Sequence, residues 1–380
     1  MMRPRTFSEW ARAIAGSLCL ILAMPVLVTL DSLRLWKITV VVTEYGHRMA
    51  VLALLISVAS LRRQPVISLV AVSAACIFLV PLAQAIRIAA VLPDRLDEAF
   101  SMMSPALPRP LSATGLLFGG KPEPVQPQSL VYADEPDGEQ RLLFFPSQKA
   151  RPAPCLIVIH SGGWENGGPD EFPVWNHYWA REGYAVAAIE YRLAPQSRWP
   201  APRDDVAAAL RFLKEQSAVL GVDAKRFVLM GRSAGGQIAT AAAYSLSDPA
   251  VRGCISLYAP ADMPFAWQYA DPNDVLDSPR LMRQYLGGDA TEAAENYLSA
   301  SGTLIAKEGC PPTLMIHGDR DILVWNKQSE RLAAKLESVH VPHYHLALPW
   351  ATHALDYPFN GPGAQLTRYA IDRFLAKVTQ

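Results

Sequence analysis

The stretch Phe227-Val-Leu-Met-Gly231-Arg-Ser233-Ala-Gly235-Gly236-Gln237-Ile238 constrains the fold of this 380-residue chain more than any other. Its first residues are apolar and β-favouring, and the alanine-rich run from Ile238 to Tyr244 favours helix. Between the two the chain must turn sharply at Ser233, and glycines two before and two after that serine supply the room a strained turn needs. A strand that feeds a helix in this way belongs to an α/β sheet. Ser233 is therefore a candidate nucleophile. A Gly/Ser-rich turn without chemistry is the alternative for the pentapeptide alone, and the rest of the chain decides between them.

From about Leu130 short β-like runs alternate with helix-like segments. Ser129 to Ala133 and Arg141 to Phe145 are expected to form a hairpin around Pro136-Asp-Gly138. Cys155 to Ile159 is a continuous apolar strand of the fully buried kind, and it ends in His160-Ser-Gly162-Gly163-Trp164. Glycines directly after a central strand let backbone N–H groups face an open space, as an oxyanion hole requires; a plain glycine turn is the other reading. After the strand Ala185 to Ile189 come Tyr191-Arg-Leu-Ala-Pro195 and a helix with Val206, Leu210 and Leu213 on its core-facing stripe. Arg192 and Asp205 either pair to hold the loop beside the site or leave a solvated surface arginine.

Cys254 to Tyr258 reads as the next strand, and the long segment from Ala259 to Pro312 carries Phe265, Trp267, Tyr269, Tyr285 and Tyr297. It is expected to hold helices and part of a cap, its aromatics serving pocket or packing equally well. Thr313-Leu-Met-Ile-His317-Gly318-Asp319-Arg320-Asp321 is a buried strand that ends in a turn with acids. In the chain order serine, acid, histidine that accompanies G-x-S-x-G, this is the place for the carboxylate. Asp321, three residues beyond the glycine, is the expected acid and Asp319 the alternative. His353 lies on the loop after the last strand, whereas His343 and His345 fall inside that strand run. Gln365 to Lys377 closes the chain as an amphipathic helix.

The N-terminal third differs in kind. Ala13 to Leu30 and Val66 to Ile86 are long enough to cross a bilayer as helices, and Met49 to Leu61 between them is apolar but short. Arg3, Arg5 and Arg12 precede the first run, and Arg62 and Arg63 separate the second from the third, which favours those flanks being cytoplasmic. Three spans, the expected count, put everything after residue 93 outside the cytoplasm. Two, with the middle segment lying at the interface, put it inside; Arg34, Lys37 and Arg48 weigh against an outside loop. The proline-rich segment from Pro93 to Gln128 resists helix and reads as a stiff connector. The expected division is thus a helical transmembrane region at 1–93, a linker at 94–128 and a catalytic domain at 129–380. Formal net charge is zero, so the chain has no basic footprint for nucleic acid, and its five cysteines show neither C-x-x-C nor metal-ligand spacing.

The ordered set His160-Ser-Gly-Gly-Trp164, Tyr191-Arg-Leu-Ala-Pro195, Gly231-Arg-Ser-Ala-Gly235, His317-Gly-Asp-Arg-Asp321 and His353 resembles the esterase/lipase group of α/β-hydrolases that includes the hormone-sensitive lipase family. The resemblance covers roughly residues 130–380 and implies an α/β-hydrolase fold, a mostly parallel sheet flanked by helices. It implies Ser233 as nucleophile, His353 as base, Asp321 as acid, and the N–H groups of Gly162, Gly163 and Ala234 as oxyanion donors. Ser161 stands where the family has its first glycine, and H-G-x-x-D is more like the neighbouring esterase and peptidase branches. The expected activity is hydrolysis of small-molecule or lipid carboxylic esters through an acyl-enzyme, with no metal or organic cofactor. An amide-cleaving hydrolase on the same residues is the alternative, and a non-catalytic hydrolase-like binding protein a third.

Overall fold

The computed structural model describes residues 6–29, 32–102, 108–135, 138–149 and 151–380. Arg3, Arg5, Leu30, Pro136 and Asp137 of the sequence reading, and residues 103–107 of its proline-rich segment, lie outside the described residues.

Eight strands form one sheet: β1 (Gln128–Glu135), β2 (Gly138–Phe145), β3 (Ala153–Ile159), β4 (Ala185–Ile189), β5 (Val222–Arg232), β6 (Val251–Leu257), β7 (Thr313–Gly318) and β8 (His343–Leu348). They lie in the order β1-β2-β4-β3-β5-β6-β7-β8. The β1–β2 and β2–β4 pairs are antiparallel, and every pair from β4 onward is parallel. The expected opening hairpin is therefore present, with Glu135 opposite Gly138 at its tip. Both faces of the sheet are covered, which is why the central strands read as unbroken apolar runs. In β3, Cys155, Ile157 and Ile159 enter one core while Leu156 and Val158 enter the other. In β5, Phe227 and Leu229 divide from Val228 and Met230 in the same way.

The helices of the sheet region are α4 (Ala113–Phe118), α5 (Pro173–Glu182), α6 (Ala201–Glu215), α7 (Ser217–Leu220), α8 (Ala234–Ser245), α13 (Lys327–Ser338) and α14 (Pro362–Val378), with α9 (Met263–Gln268), α10 (Ser278–Leu286), α11 (Ala294–Ser299) and α12 (Gly302–Ile305) between β6 and β7. Residues Ala234 to Tyr244 of α8 are all buried, so its alanines and glycines answer to close packing on every side. The fold is that of the α/β-hydrolases, preceded by an all-helical region.

That region holds α1 (Phe7–Ala23), α2 (Leu33–Ser60) and α3 (Pro65–Phe100), three helices long and apolar enough to cross a membrane. The short middle segment expected at Met49 to Leu61 is the second half of α2, a helix of 28 residues. Its first half escapes a hydropathy reading because of Glu44, His47 and Arg48, whose polar groups meet partners in the sheet region. Glu44 accepts from the Trp350 indole at 3.0 Å and the Gly363 N–H at 2.8 Å. The His47 ring and the Arg48 Nε reach the Leu116 carbonyl at 2.9 and 2.8 Å. Helix α3 likewise continues through Pro93 to Phe100, where the sequence reading began a connector. A proline removes one backbone donor from a helix. Here burial of Leu92, Leu96 and Phe100 in the core shared with Phe374 keeps the helix intact across that gap.

Candidate active site

Strand β5 and helix α8 meet at Ser233, which has φ 52° and ψ −122°, a conformation costly for any residue with a side chain. The surroundings hold it there. A Cβ on Gly231 would sit 2.0 Å from the Gly235 carbonyl oxygen, so the turn closes only without one. Arg232, between the glycine and the serine, is 2 % exposed and pairs with Asp356 at 2.7 Å. Tyr258 donates to the other oxygen of Asp356 at 2.7 Å, and its ring lies edge-on to His353 at 4.5 Å. One buried carboxylate thereby ties the elbow to the histidine loop. Sequence reasoning missed Asp356 because it belongs to no motif and lies far along the chain.

His353 Nδ1 stands 2.7 Å from Asp321 Oδ2. The other oxygen of Asp321 accepts the N–H groups of Leu323 and Val324 at 2.8 and 2.9 Å, and His317 Nε2 lies 3.3 Å from Oδ2. Burial alone would raise the Asp321 pKa. The His353 imidazole beside it and hydrogen bonds from His317 and His353 outweigh burial and hold the carboxyl well below the usual carboxylate range. Asp319 instead accepts from Asn326 Nδ2 at 2.6 Å, and burial pushes its pKa up. His345 is half-buried within β8, where burial and the neighbouring His317 push its pKa down to about 4.

The segment after β3 curls so that Gly162 has φ 112°, and a Cβ there would meet the Asn166 carbonyl oxygen at 1.9 Å. Ser161, in place of the family's glycine, gives both its N–H and its hydroxyl to Glu171, at 2.9 and 2.8 Å. Tyr191 stacks on His160 with ring centres 4.1 Å apart. Asp205 takes the Arg192 N–H and Nε at 2.8 Å each, so of the two readings the pair is the one present, and it holds this loop. Among the described residues, no protein backbone acceptor takes up the N–H groups of Gly162, Gly163 or Ala234.

Ser233, His353, Gly162 and Gly163 line one cavity of about 750 Å³. A smaller one of about 240 Å³ shares Ser233 and Gly163, adds Ala234, and runs under the α9–α10 cap between Tyr269, Met282 and Trp325. Of the aromatics in the cap, Tyr269 thus faces a cavity. Tyr285 stacks on Trp164 and Trp267 packs on Tyr297, so the set divides between pocket and core. Among the described residues no group of three or more His, Cys, Asp or Glu side chains could hold a metal ion.

Residues 143–336 match the BD-FAE family. The chain belongs to that family. The BD-FAE match takes in Gly162, Gly163, Ser233, Ala234 and Asp321, and it leaves out His353 and the N-terminal helices. Among curated proteins the chain is 29% identical over 240 residues to a probable carboxylic ester hydrolase, LipM, of Mycobacterium tuberculosis, covering 60% of this chain and 54% of the relative. It is 26% identical over 270 residues to the esterase LipC of the same organism, covering 67% and 66%. The chain thus spans between about half and two thirds of the length of these relatives. Among solved structures a bacterial heroin esterase aligns with a TM-score of 0.58 at 23% identity, over 78% of this chain and 92% of that one. A Pyrobaculum calidifontis esterase aligns at 0.56 and 22%, over 67% and 87%. At that identity the likeness is one of fold.

Proposed function

We propose that the protein is a membrane-anchored serine hydrolase of carboxylic esters, with Ser233 as nucleophile, His353 as general base and Asp321 as the acid that orients it. The observation that carries this is the 2.7 Å contact of His353 Nδ1 with Asp321, in a cavity wall that also contains a serine on a strained strand-to-helix turn. A serine hydroxyl is a weak nucleophile near neutral pH. The ionised Asp321 carboxylate requires the proton of a neutral His353 to sit on Nδ1, which leaves the Nε2 lone pair free to accept the Ser233 proton as the oxygen attacks the ester carbonyl. Negative charge then grows on the carbonyl oxygen. The N–H groups of Gly162, Gly163 and Ala234 are assigned to it, and one such donor is worth about 3 to 4 kcal/mol of barrier in measured enzymes. Collapse expels the alcohol, giving an acyl-enzyme on Ser233; water deprotonated by His353 then releases the acid.

The relatives' names weigh ester over amide. The helices α1 to α3 are assigned to three spans, with the BD-FAE domain on the side of the membrane away from Arg62-Arg63. Supporting this, Arg12 and Glu9 of α1 contact Gln64 at the α2–α3 turn, while Arg320 of the sheet region reaches the Val26 carbonyl at the opposite end of α1. The proposed division is a helical membrane region, a connector and a hydrolase domain from about residue 129.

The test is covalent labelling. A fluorophosphonate probe is expected to label wild type and not Ser233→Ala, with ester hydrolysis lost and the fold kept, since alanine fits the elbow. Equal labelling of both proteins removes Ser233 as nucleophile.

A further inference from the structure

The cavity that holds Ser233 and His353 is walled on one side by the N-terminal helical region: Leu33, Trp36, Lys37, Val40 and Val41 of α2 line it. Trp36 is fastened to the site itself, its indole N–H donating to the His353 carbonyl at 3.2 Å. We infer that these first turns of α2 form a subsite for the hydrocarbon chain of an amphiphilic ester, which enters from the bilayer. This rests on the serine-esterase reading above and names its substrate class.

Contacts place the subsite beside the sheet region. Glu44, His47 and Arg48, further along α2, are held by Trp350, Gly363 and Leu116, so the turns before them, Leu33 to Val41, lie on the sheet-region side of the helix. The apolar second half of α2 leads from there to the Arg62-Arg63 end, and Trp36 is of the residue type enriched at membrane–water interfaces. The mouth is also ringed by apolar surface that water does not favour. Leu33 and Val41 are 43% and 41% exposed, and Tyr357, which also lines the cavity, is 71% exposed. Helix α4 presents Phe118 at 83%, and Asn360, three residues after Tyr357, holds its C-terminal end by the Gly119 carbonyl at 2.9 Å. Exposed aromatic and aliphatic side chains gathered around a cavity mouth mark a surface meant for an apolar medium. An ester group delivered between α2 and Tyr357 meets Ser233 with its chain still against Val40, Val41 and Leu33.

The test uses the full-length chain in detergent micelles, with p-nitrophenyl acetate and p-nitrophenyl dodecanoate as probes. Val41→Trp and Leu33→Trp, at half-exposed positions that accept a larger side chain, are expected to lower the ratio of kcat/KM for dodecanoate over acetate. The expected fall is about tenfold or more, the discrimination that losing a methylene or two of apolar contact gives. Val58→Trp, 74% exposed near the far end of the same helix, is the control and keeps the wild-type ratio. An unchanged ratio in Val41→Trp and Leu33→Trp overturns the inference, as does a wild type that cleaves acetate but not dodecanoate, and both leave the esterase reading intact. A wild type that cleaves neither ester and takes no fluorophosphonate overturns the esterase reading, and the inference with it.

Discussion

Asp319 and Asp321 leave the same turn two residues apart, and their surroundings give them different work. Asp321 faces His353 and carries backbone N–H donors on its other oxygen; Asp319 turns toward Asn326. Asp321→Asn keeps the shape but can offer Nδ1 an N–H in place of an acceptor, favouring the wrong imidazole tautomer. The expected loss in kcat is on the order of ten-thousand-fold, as for an orienting aspartate in a serine protease. Asp319→Asn is expected to cost far less. Steady-state kinetics of the two variants on one ester give the comparison, and a larger loss at Asp319 reverses the assignment. At this scale the sequence already held much of the candidate site, because a strained turn, a glycine curl and an acid after a strand each demand particular residues at fixed local spacing. Asp356 escaped it because it pairs with Arg232 across the fold, and Glu171 because the curl that brings it back to Ser161 leaves no fixed sequence pattern.

Among the elements, α14 packs against the sheet with a carboxyl turned inward. Asp372 accepts the Tyr178 hydroxyl at 2.6 Å, while its Oδ1 is shielded from solvent. Burial pushes its pKa up to about 7 from the ordinary 3.8. As pH rises, the unfolded chain therefore releases this proton before the folded one does. The folded state binds more protons in that window, so stability is highest below about 4 and falls as pH rises to about 7. Asp372→Asn cannot titrate, and its melting temperature is expected to decline less than that of wild type between pH 4 and 7, measured in the same detergent. Parallel curves for the two proteins contradict the raised pKa. Helix α2 shows the limit of pattern reading at the element scale. Its second half is visible as apolar sequence, but its first half is interrupted by polar side chains whose partners lie in the sheet region.

For the whole molecule the question is which side of the membrane the hydrolase domain occupies. The proposed three spans put it opposite Arg62-Arg63, and the positive-inside rule predicts that to be the non-cytoplasmic side, the periplasm in a Gram-negative bacterium. A phosphatase active only outside the cytoplasm, fused after residue 95, is expected to be active, and a fluorescent protein that matures only inside is expected to stay dark. The reverse pattern places the candidate site in the cytoplasm and reduces the spans to an even number. A high-salt wash is expected to leave the protein in the membrane, because salt screens surface charge and does not weaken burial of an apolar helix.

Local chemistry was enough to make the sheet region and the candidate triad legible, since alternating strands and helices, Gly231-Arg-Ser-Ala-Gly235, Asp321 and His353 are each set by short-range pattern and chain order. Tertiary structure alone decided that α3 runs on through Pro93, because the burial of Leu92, Leu96 and Phe100 against α14 offsets the lost donor. It decided equally that α2 stands in the cavity wall beside His353. No periodicity in the first hundred residues can disclose which distant loop a helix will face, because that contact is fixed by the packing of two separately patterned regions against each other.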